Sequence, residues 1–354
     1  MKSCDAIVLG AGIIGVSVAR ALRKQGMEVL LLERGEPGRE SSFAAAGMLA
    51  PHSTDTPDRL WAFAEASARL YPGFVEEVET DSGLRVDLRS QGTIVFLESQ
   101  EELLSLPCLP ELGASQLAEL EPGLVSPGGR AFFLEERSVD ARALMAASLE
   151  AARKRDIQLL SRTAATNVER TQGRALQVTA GPEPLQAPIV VNCAGAWAGQ
   201  IPPQKFPTPP VKGQMLAVEA PRGLRLRHVV RTPAVYVVPR SDGRILIGAT
   251  QEEAGFDRSL DPKAIATLHQ EAARILPGLA PARVRESWCG FRPGTPDALP
   301  ILGPTATPGY FVATGHFRNG FLLAPLTAQA MAAVIRGTEP VMDITRFSPS
   351  RFER

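Results

Sequence analysis

The segment Asp5-Ala-Ile-Val-Leu-Gly10-Ala-Gly12-Ile-Ile-Gly15 restricts the fold more tightly than any other stretch of the chain. Its apolar opening reads as a short buried strand. Apolar residues then recur at helical spacing from Ile13 to Gln25, Gly26 suits the position just past a helix end, and Glu28 to Glu33 reads as a second strand. Strand, helix and strand in so few residues run parallel and right-handed, which predicts an α/β sheet with helices over its faces. Gly10 permits the tight turn, Gly12 lets backbone approach a pyrophosphate, and Gly15 lets the helix pack on the strand. The helix start offers N–H groups and positive dipole to phosphate. Glu33 closes the second strand where a carboxylate bonds an adenosine ribose and repels a 2′-phosphate.

Two later segments return to such a sheet: Ile189 to Gly195, and Tyr310 to Thr314 running into Gly315 and an apolar helix. Between them, Thr93 to Leu97, Val211 to Val218 and Val235 to Thr250 have strand-like residues punctuated by turn signals such as Ser-Asp-Gly at 241–243. They predict a second, mostly antiparallel sheet inserted twice into a discontinuous Rossmann-like domain. The expected division is 1–85, 138–205 and 290–354 for the dinucleotide-binding domain, with 86–137 and 206–289 for the substrate-binding domain. Prolines at 202–203, 207 and 209–210 mark a crossing between the halves.

Composition removes several classes of function. Lys plus Arg equals Asp plus Glu at 38 each, so no overall field draws nucleic acid or anionic lipid. Cys4, Cys108, Cys193 and Cys289 are scattered and read as free thiols in a reducing compartment, and the four histidines lack metal spacing. No metal is expected. The N-terminus enters the first strand without room for a signal peptide, so a cytoplasmic location is expected. Phe321 to Ile335 is too short and too interrupted to span a bilayer and reads as a core helix.

Candidate site residues follow from local context. The small-residue run Ser41 to Met48 would let a flat cofactor lie against backbone, with the Ser41 and Ser42 hydroxyls available to it; a tight helix-packing face fits the run equally well. Arg292 lies in a turn-rich segment between Phe291 and Pro293, and its planar fork suits a carboxylate, although an arginine in such a loop is more often solvated. Tyr236 sits in the apolar strand Ala234 to Val238, as a core phenol or as a hydrogen-bond donor toward a ligand. The segment from Gly315 to Gly320 precedes a helix start, a natural place for negative charge. The basic run Arg222, Arg225, Arg227, His228 and Arg231 reads as a solvated face or a subunit contact.

Taken together these residues resemble the FAD-dependent amino acid oxidases of the D-amino acid oxidase superfamily, and within it the glycine oxidases of thiamine biosynthesis. Six blocks in order carry the resemblance: the opening turn, Ala44 to Leu49, Val211 to Gln214, Tyr236 to Arg240, Gly290 to Gly294 and Gly315 to Pro325. The resemblance implies FAD with its ADP half on Gly10, Gly12, Ile13, Ile14, Gly15, Glu33 and Arg34. Ser41, Ser42, Ala46, Gly47 and Met48 would lie along the pyrophosphate and flavin, and Val168 matches a position whose backbone contacts adenine. His316, Phe317, Arg318, Asn319, Gly320, Phe321 and Leu322 match the stretch around the flavin's pyrimidine edge. Arg292 matches the carboxylate-binding arginine, Tyr236 its hydroxyl partner, and Arg318 a residue at the substrate site. Gly290 lies opposite the cysteine that bonds flavin covalently in monomeric sarcosine oxidases, with Cys289 one residue away, so the FAD is expected to be noncovalent.

The implied reaction is oxidation of a small amino acid by hydride transfer from Cα to flavin N5. O2 is the implied acceptor, and the products are H2O2, ammonia and the oxoacid. Glycine is the expected substrate, and the small Ala234, two residues before Tyr236, leaves room for sarcosine, D-alanine or D-proline. Two alternatives stand beside it: a D-amino acid dehydrogenase that passes electrons to a quinone or carrier, and a noncatalytic FAD-binding subunit. Expected partners are the amino acid and O2, without nucleic acid or an integral membrane segment; a homo-oligomer stays open.

Overall fold

Every residue from Ala6 to Leu9 is buried, yet alternate side chains enter different cores. Ala6 and Val8 join one cluster with Val16, Leu22 and Val191; Ile7 and Leu9 join another with Leu30, Val168 and Val190. A strand covered on both faces reads as a continuous apolar run, the mark of a central parallel strand. The computed structural model, which describes residues 4–53, 56–98, 109–171 and 175–352, shows this sheet to have six strands. Their order is Ile301–Pro304, Tyr310–Thr314, Ile189–Asn192, Ala6–Leu9, Val29–Leu32 and Gln158–Leu160, parallel except for the first, which is antiparallel to its neighbour.

Helices Ile13–Lys24, Asp58–Ser82, Ala141–Lys154 and Gly320–Arg336 cover one face. The sequence leads one to expect helices on both faces, but the other is covered by an antiparallel meander of Asn167–Arg170, Leu176–Thr179 and Leu185–Ala187. Alternation in that meander is the reason: Val168, Leu176, Val178 and Ala187 point into the core while the intervening residues are more exposed. The apolar helix Gly320–Arg336 is a core element, its Phe321 carbonyl accepting from the buried Tyr71 hydroxyl at 2.6 Å. Among the described residues no helix is long and apolar enough to cross a membrane.

The second sheet has seven strands in the order Val284–Pro293, Pro210–Glu219, Arg244–Gly248, Tyr236–Pro239, Val229–Arg231, Thr93–Leu97 and Arg130–Leu134. All neighbours are antiparallel except Val229–Arg231 with Thr93–Leu97. Arg292 is therefore not in a turn but near the end of a ten-residue edge strand, paired with Val211. The glycines and prolines around it suggested a turn, and the length of its partner strand overrode that local signal. Helix Pro262–Ile275 backs the sheet on the side away from the six-stranded layer, over Leu216, Val237 and Ile247. Cys4, Cys193 and Cys289 are free thiols; Cys108 lies outside the described residues.

One polar network ties the helical layer together. Arg20, 3% exposed, bonds Glu77 and Asp81 at 3.1 and 2.9 Å, and Arg155 bonds both Asp81 oxygens at 2.7 Å. Arg155, then burial working against it, then Arg20 set the Asp81 pKa below the usual carboxylate value. A depressed carboxylate pKa adds stability above its unfolded value and loses it as the pH falls through the folded one. Asp81→Asn should cost about 3 kcal/mol at neutral pH, since Arg20 keeps its burial and loses a charge partner. The gap between urea melts of the two proteins should begin to narrow below about pH 4 and close only below the depressed Asp81 pKa; a gap that does not narrow on acidification would show the loss to be one of packing.

Candidate active site

The first turn of the six-stranded sheet forms one end of the site. Gly10 has φ +99°, and a Cβ there would lie 2.6 Å from the Cys193 carbonyl oxygen, so only glycine fits. A Cβ on Gly15 would overlap the Gly10 carbonyl, which is why the helix can approach the strand so closely. Both Glu33 oxygens are fixed by backbone: Oε2 accepts from Ala11 N–H and Oε1 from Gly35 N–H, each at 2.9 Å. An acid so oriented retains lone pairs for ribose hydroxyls.

From this turn a cavity of about 900 Å3 runs between the two sheets. Its wall brings together Gly10, Gly12, Ile13, Ile14, Glu33, Arg34, Ser41, Ser42, Ala46, Gly47, Met48 and the segment from His316 to Phe321. The same wall contains Tyr236, Arg292 and Ala234. Three expected residues lie outside it. Gly15 is behind the turn. Leu322 points into the helical core. Val168 is a meander residue whose N–H already donates to Pro202 O at 3.0 Å.

The serines behave differently from expectation. Ser42 Oγ accepts from Ile13 N–H at 3.0 Å, capping the first helix from a distant segment, and Ser41 Oγ donates to the Phe291 carbonyl. Neither hydroxyl is simply free, although Ser42 keeps its own proton to donate. His316 is fully buried with Nε2 3.2 Å from Thr327 Oγ1, and burial lowers its pKa to about 3. It is a neutral imidazole at any physiological pH. Phe317 follows at φ +46° with its N–H on Pro293 O, leading into the helix start at Gly320.

At the far end, two side chains lie flat across glycines of adjacent strands. A Cβ on Gly213 would collide with the Arg292 guanidinium, and one on Gly248 would stand 2.7 Å from the Tyr236 hydroxyl oxygen. Arg292 Nη1 donates to the carbonyls of Thr250 at 3.1 Å and Lys212 at 3.4 Å, and Tyr236 OH reaches Met215 Sδ at 3.4 Å. A thioether is a weak acceptor that a carboxylate oxygen readily replaces. Alternation along Val284–Pro293 puts Gly290 and Arg292 in the cavity wall and Cys289 on the opposite face, its Sγ 3.5 Å from Arg258 O.

The cavity wall also holds residues that sequence reasoning missed. Trp197 lies beneath the Arg34 guanidinium, 4.3 Å from ring centroid to Cζ, and stacks on Phe256 at 4.7 Å. Thr163 to Thr166 follow the strand Gln158–Leu160, at the carboxyl ends of parallel strands where α/β sheets bind ligands; that rule was a usable signal. Arg231 belongs to no solvated basic face, since it lines the cavity and pairs with Glu136 at 3.1 Å. Its neighbour His228 is likewise buried, bonded through Nδ1 to Glu121 at 2.9 Å. Among the described residues no cluster of acids, histidines or cysteines could hold a metal ion.

Residues 5–334 match the family model described as FAD dependent oxidoreductase. The chain is 32% identical over 357 residues to glycine oxidase of Pseudomonas aeruginosa, covering 97% of this chain and 98% of that protein. It is 34% identical over 363 residues to the bifunctional protein ThiO/ThiG of Trichormus variabilis, where it spans 99% of itself and 55% of that longer protein. The crystal structure of glycine oxidase from Geobacillus kaustophilus superposes with TM-score 0.93 at 31% identity, covering 99% of both chains. Iminodiacetate oxidase from Chelativorans superposes with TM-score 0.86 at 26% identity, covering 97% of this chain and 98% of that one. The bare glycine turn, the Glu33 carboxylate and the long cavity fit a dinucleotide, and with this likeness over almost its whole length the chain belongs to the FAD-dependent oxidoreductases, among their amino acid oxidases, with FAD as its cofactor.

Proposed function

We propose that the chain oxidises glycine and other small amino acids with O2 in the cytoplasm, in the thiamine-biosynthetic role of the glycine oxidases it resembles. Glycine, O2 and water would give glyoxylate, ammonia and H2O2. The observation that carries this reading is the pairing of Arg292 with Tyr236 over two glycines at one end of a dinucleotide cavity. We assign the six-stranded layer, built from 1–85, 138–205 and 290–354, to the cofactor, and the segments 86–137 and 206–289 to the substrate.

FAD, when bound, supplies the acceptor for the two electrons of the substrate Cα–H and passes them to O2. The chain's own residues place that bond. Gly10, Gly12, Ile13, Ile14, Glu33 and Arg34 would hold the ADP half, and the helix starts at Ile13 and Gly320 present backbone N–H groups to negative charge. Arg292 would take the carboxylate with two N–H groups while Tyr236 turns its hydroxyl from Met215 to an oxygen. Fixing the carboxylate at these points leaves Cα one approach to the ring, and this placement lowers the barrier.

Among the described residues no acid or histidine in the cavity wall is free to take the amine proton. The acids in the cavity wall are Glu33 and Glu40; the first is held by the nucleotide turn and the second by Arg258 at 2.7 Å. His316 is neutral but buried against Thr327. The amine would therefore enter unprotonated, and turnover would rise with pH.

Glycine added to the holoenzyme without air should bleach the yellow flavin band, and admitting air should restore it with release of peroxide. Bleaching that only a quinone or dye reverses would make the chain a dehydrogenase; no bleaching by any small amino acid would leave it a noncatalytic flavin carrier. Arg292→Ala should retain FAD yet lose about 3 kcal/mol of transition-state stabilisation, roughly a hundredfold in kcat/KM on glycine; a value near wild type would remove Arg292 from substrate binding. Because Cys289 faces away from the cavity, acid precipitation should release all flavin to the supernatant. Yellow colour in the pellet would mean a covalent link.

A further inference from the structure

The cavity carries more positive charge than one carboxylate needs. Among the described residues its wall holds Arg34, Arg39, Arg231, Arg292 and Arg318 against Glu33 and Glu40. Arg34 and Arg39 lie over Trp197 and Phe43 beside the nucleotide turn. Arg292 is the proposed α-carboxylate partner, and Arg318 is itself exposed in the segment before the C-terminal helix. Arg231 has no part in that scheme.

Its position is nevertheless built. Arg231 is paired in register with Tyr236 across an antiparallel ladder, and Tyr236 in turn with Gly248, so the three share one face of the sheet. The guanidinium is largely enclosed, its side chain 12% exposed. Nη2 donates to Glu136 Oε1 at 3.1 Å and to His52 O at 3.5 Å, whereas Nε is buried without a partner. Glu136 is itself buried, and that burial outweighs the pull of Arg231 and Thr93 in raising its pKa. The acid thus holds at one nitrogen the guanidinium of an arginine that stands in the cavity wall.

The spacing suits a ligand with two acids. Three strand intervals separate Gly213, under Arg292, from Arg231, a backbone distance of ~14 Å at ~4.8 Å per strand. The Arg292 guanidinium already lies over Gly213 and the Arg231 guanidinium is tied at Nη2 to Glu136 and His52, with Tyr236 and the small Gly248 between the two. What is left is the length of a short dicarboxylate rather than of glycine alone.

We propose that Arg231 is a specificity-determining residue that binds a second carboxylate, so that the chain's preferred substrates are small amino acids bearing one in addition to the α-carboxylate. This rests on the oxidase reading for the word substrate, but not for binding. A purely structural Arg231, stapling the loop at His52 to Glu136, would treat monoacids and diacids alike.

The test uses the holoenzyme and two acids that lack an amine, succinate and propionate, read by the shift each causes in the flavin absorption band. The wild-type protein should bind succinate at least about tenfold more tightly than propionate, and Arg231→Met should reduce that ratio at least about tenfold, as expected for one charge-assisted hydrogen bond. In turnover, the kcat/KM ratio of iminodiacetate to sarcosine should fall by a similar factor, through KM rather than kcat. Should Arg231→Met fail to fold, Glu136→Gln keeps the guanidinium and removes its counter-charge, and the succinate-to-propionate ratio should rise. Equal affinity of the wild-type protein for both acids, or a ratio that neither substitution changes, overturns the proposal. Discrimination for succinate in a protein that oxidises no amino acid would leave Arg231 as an anion site and reject the oxidase reading alone.

Discussion

The whole site depends on backbone approaching backbone, and side chain approaching backbone, where no Cβ intervenes. At the nucleotide end the Gly10 carbonyl occupies the place a Gly15 side chain would take. At the far end of the cavity the Arg292 guanidinium and the Tyr236 ring occupy the places of side chains at 213 and 248. Two long polar side chains that would otherwise project into solvent are thereby laid against a sheet, with their stems packed and their polar ends turned along the surface. In the proposed reading that fixes the direction from which a carboxylate would be gripped before any ligand arrives, and such preorganisation lowers the ordering cost of binding.

How far this was legible in the sequence depends on the range of the interaction. The opening turn could be read because its strand, helix and acid are contiguous, with the Glu33 bonds to Ala11 and Gly35 falling inside that stretch, whereas the Cys193 carbonyl against Gly10 and the Ser42 cap on Ile13 come from elsewhere in the chain. The small residues of 44–48 and the helix start at 316–320 could be matched to a family but not placed, because what brings them together is the parallel order of strands from three distant parts of the chain. Arg292 was found for its chemistry and misplaced in its structure. Its glycine- and proline-rich surroundings mimic a turn, and only the ten-residue pairing with Pro210–Glu219 holds it in a strand. Arg231 was missed altogether, since in sequence it belongs to a basic run; its burial is produced by Glu136 and His52, far away along the chain.

Electrostatics along the cavity follow the same division. Glu33 and Glu40 lie where backbone amides or an arginine already engage them, which leaves the remaining wall positive. His316, the one histidine in the wall, is neutral by burial and adds nothing to that field. A chamber of this kind attracts anionic substrates and, equally, favours negative charge that develops on a cofactor held against the helix start at Gly320. Binding and chemistry would then use one field, and among the described residues of the wall none is a histidine or acid free to switch it off in the neutral range.

The segment from Ala249 to Asp261 joins the two halves of that field. Lys212, 3% exposed, holds Asp257 at 3.3 Å and Glu252 at 3.7 Å from the seven-stranded sheet. Phe256 stacks on Trp197 and meets Phe291 edge-on at 5.4 Å, and Arg258 bonds Glu40 at 2.7 Å. The same segment supplies the Thr250 carbonyl that receives Arg292. A strap tied at once to Arg292, the proposed carboxylate partner, and to the aromatic wall beneath Arg34 cannot shift at one end without disturbing the other. The distance between the proposed substrate grip and the nucleotide turn is therefore set by covalent chain as well as by packing, and a reaction that requires one C–H bond to face one ring position would need that distance held.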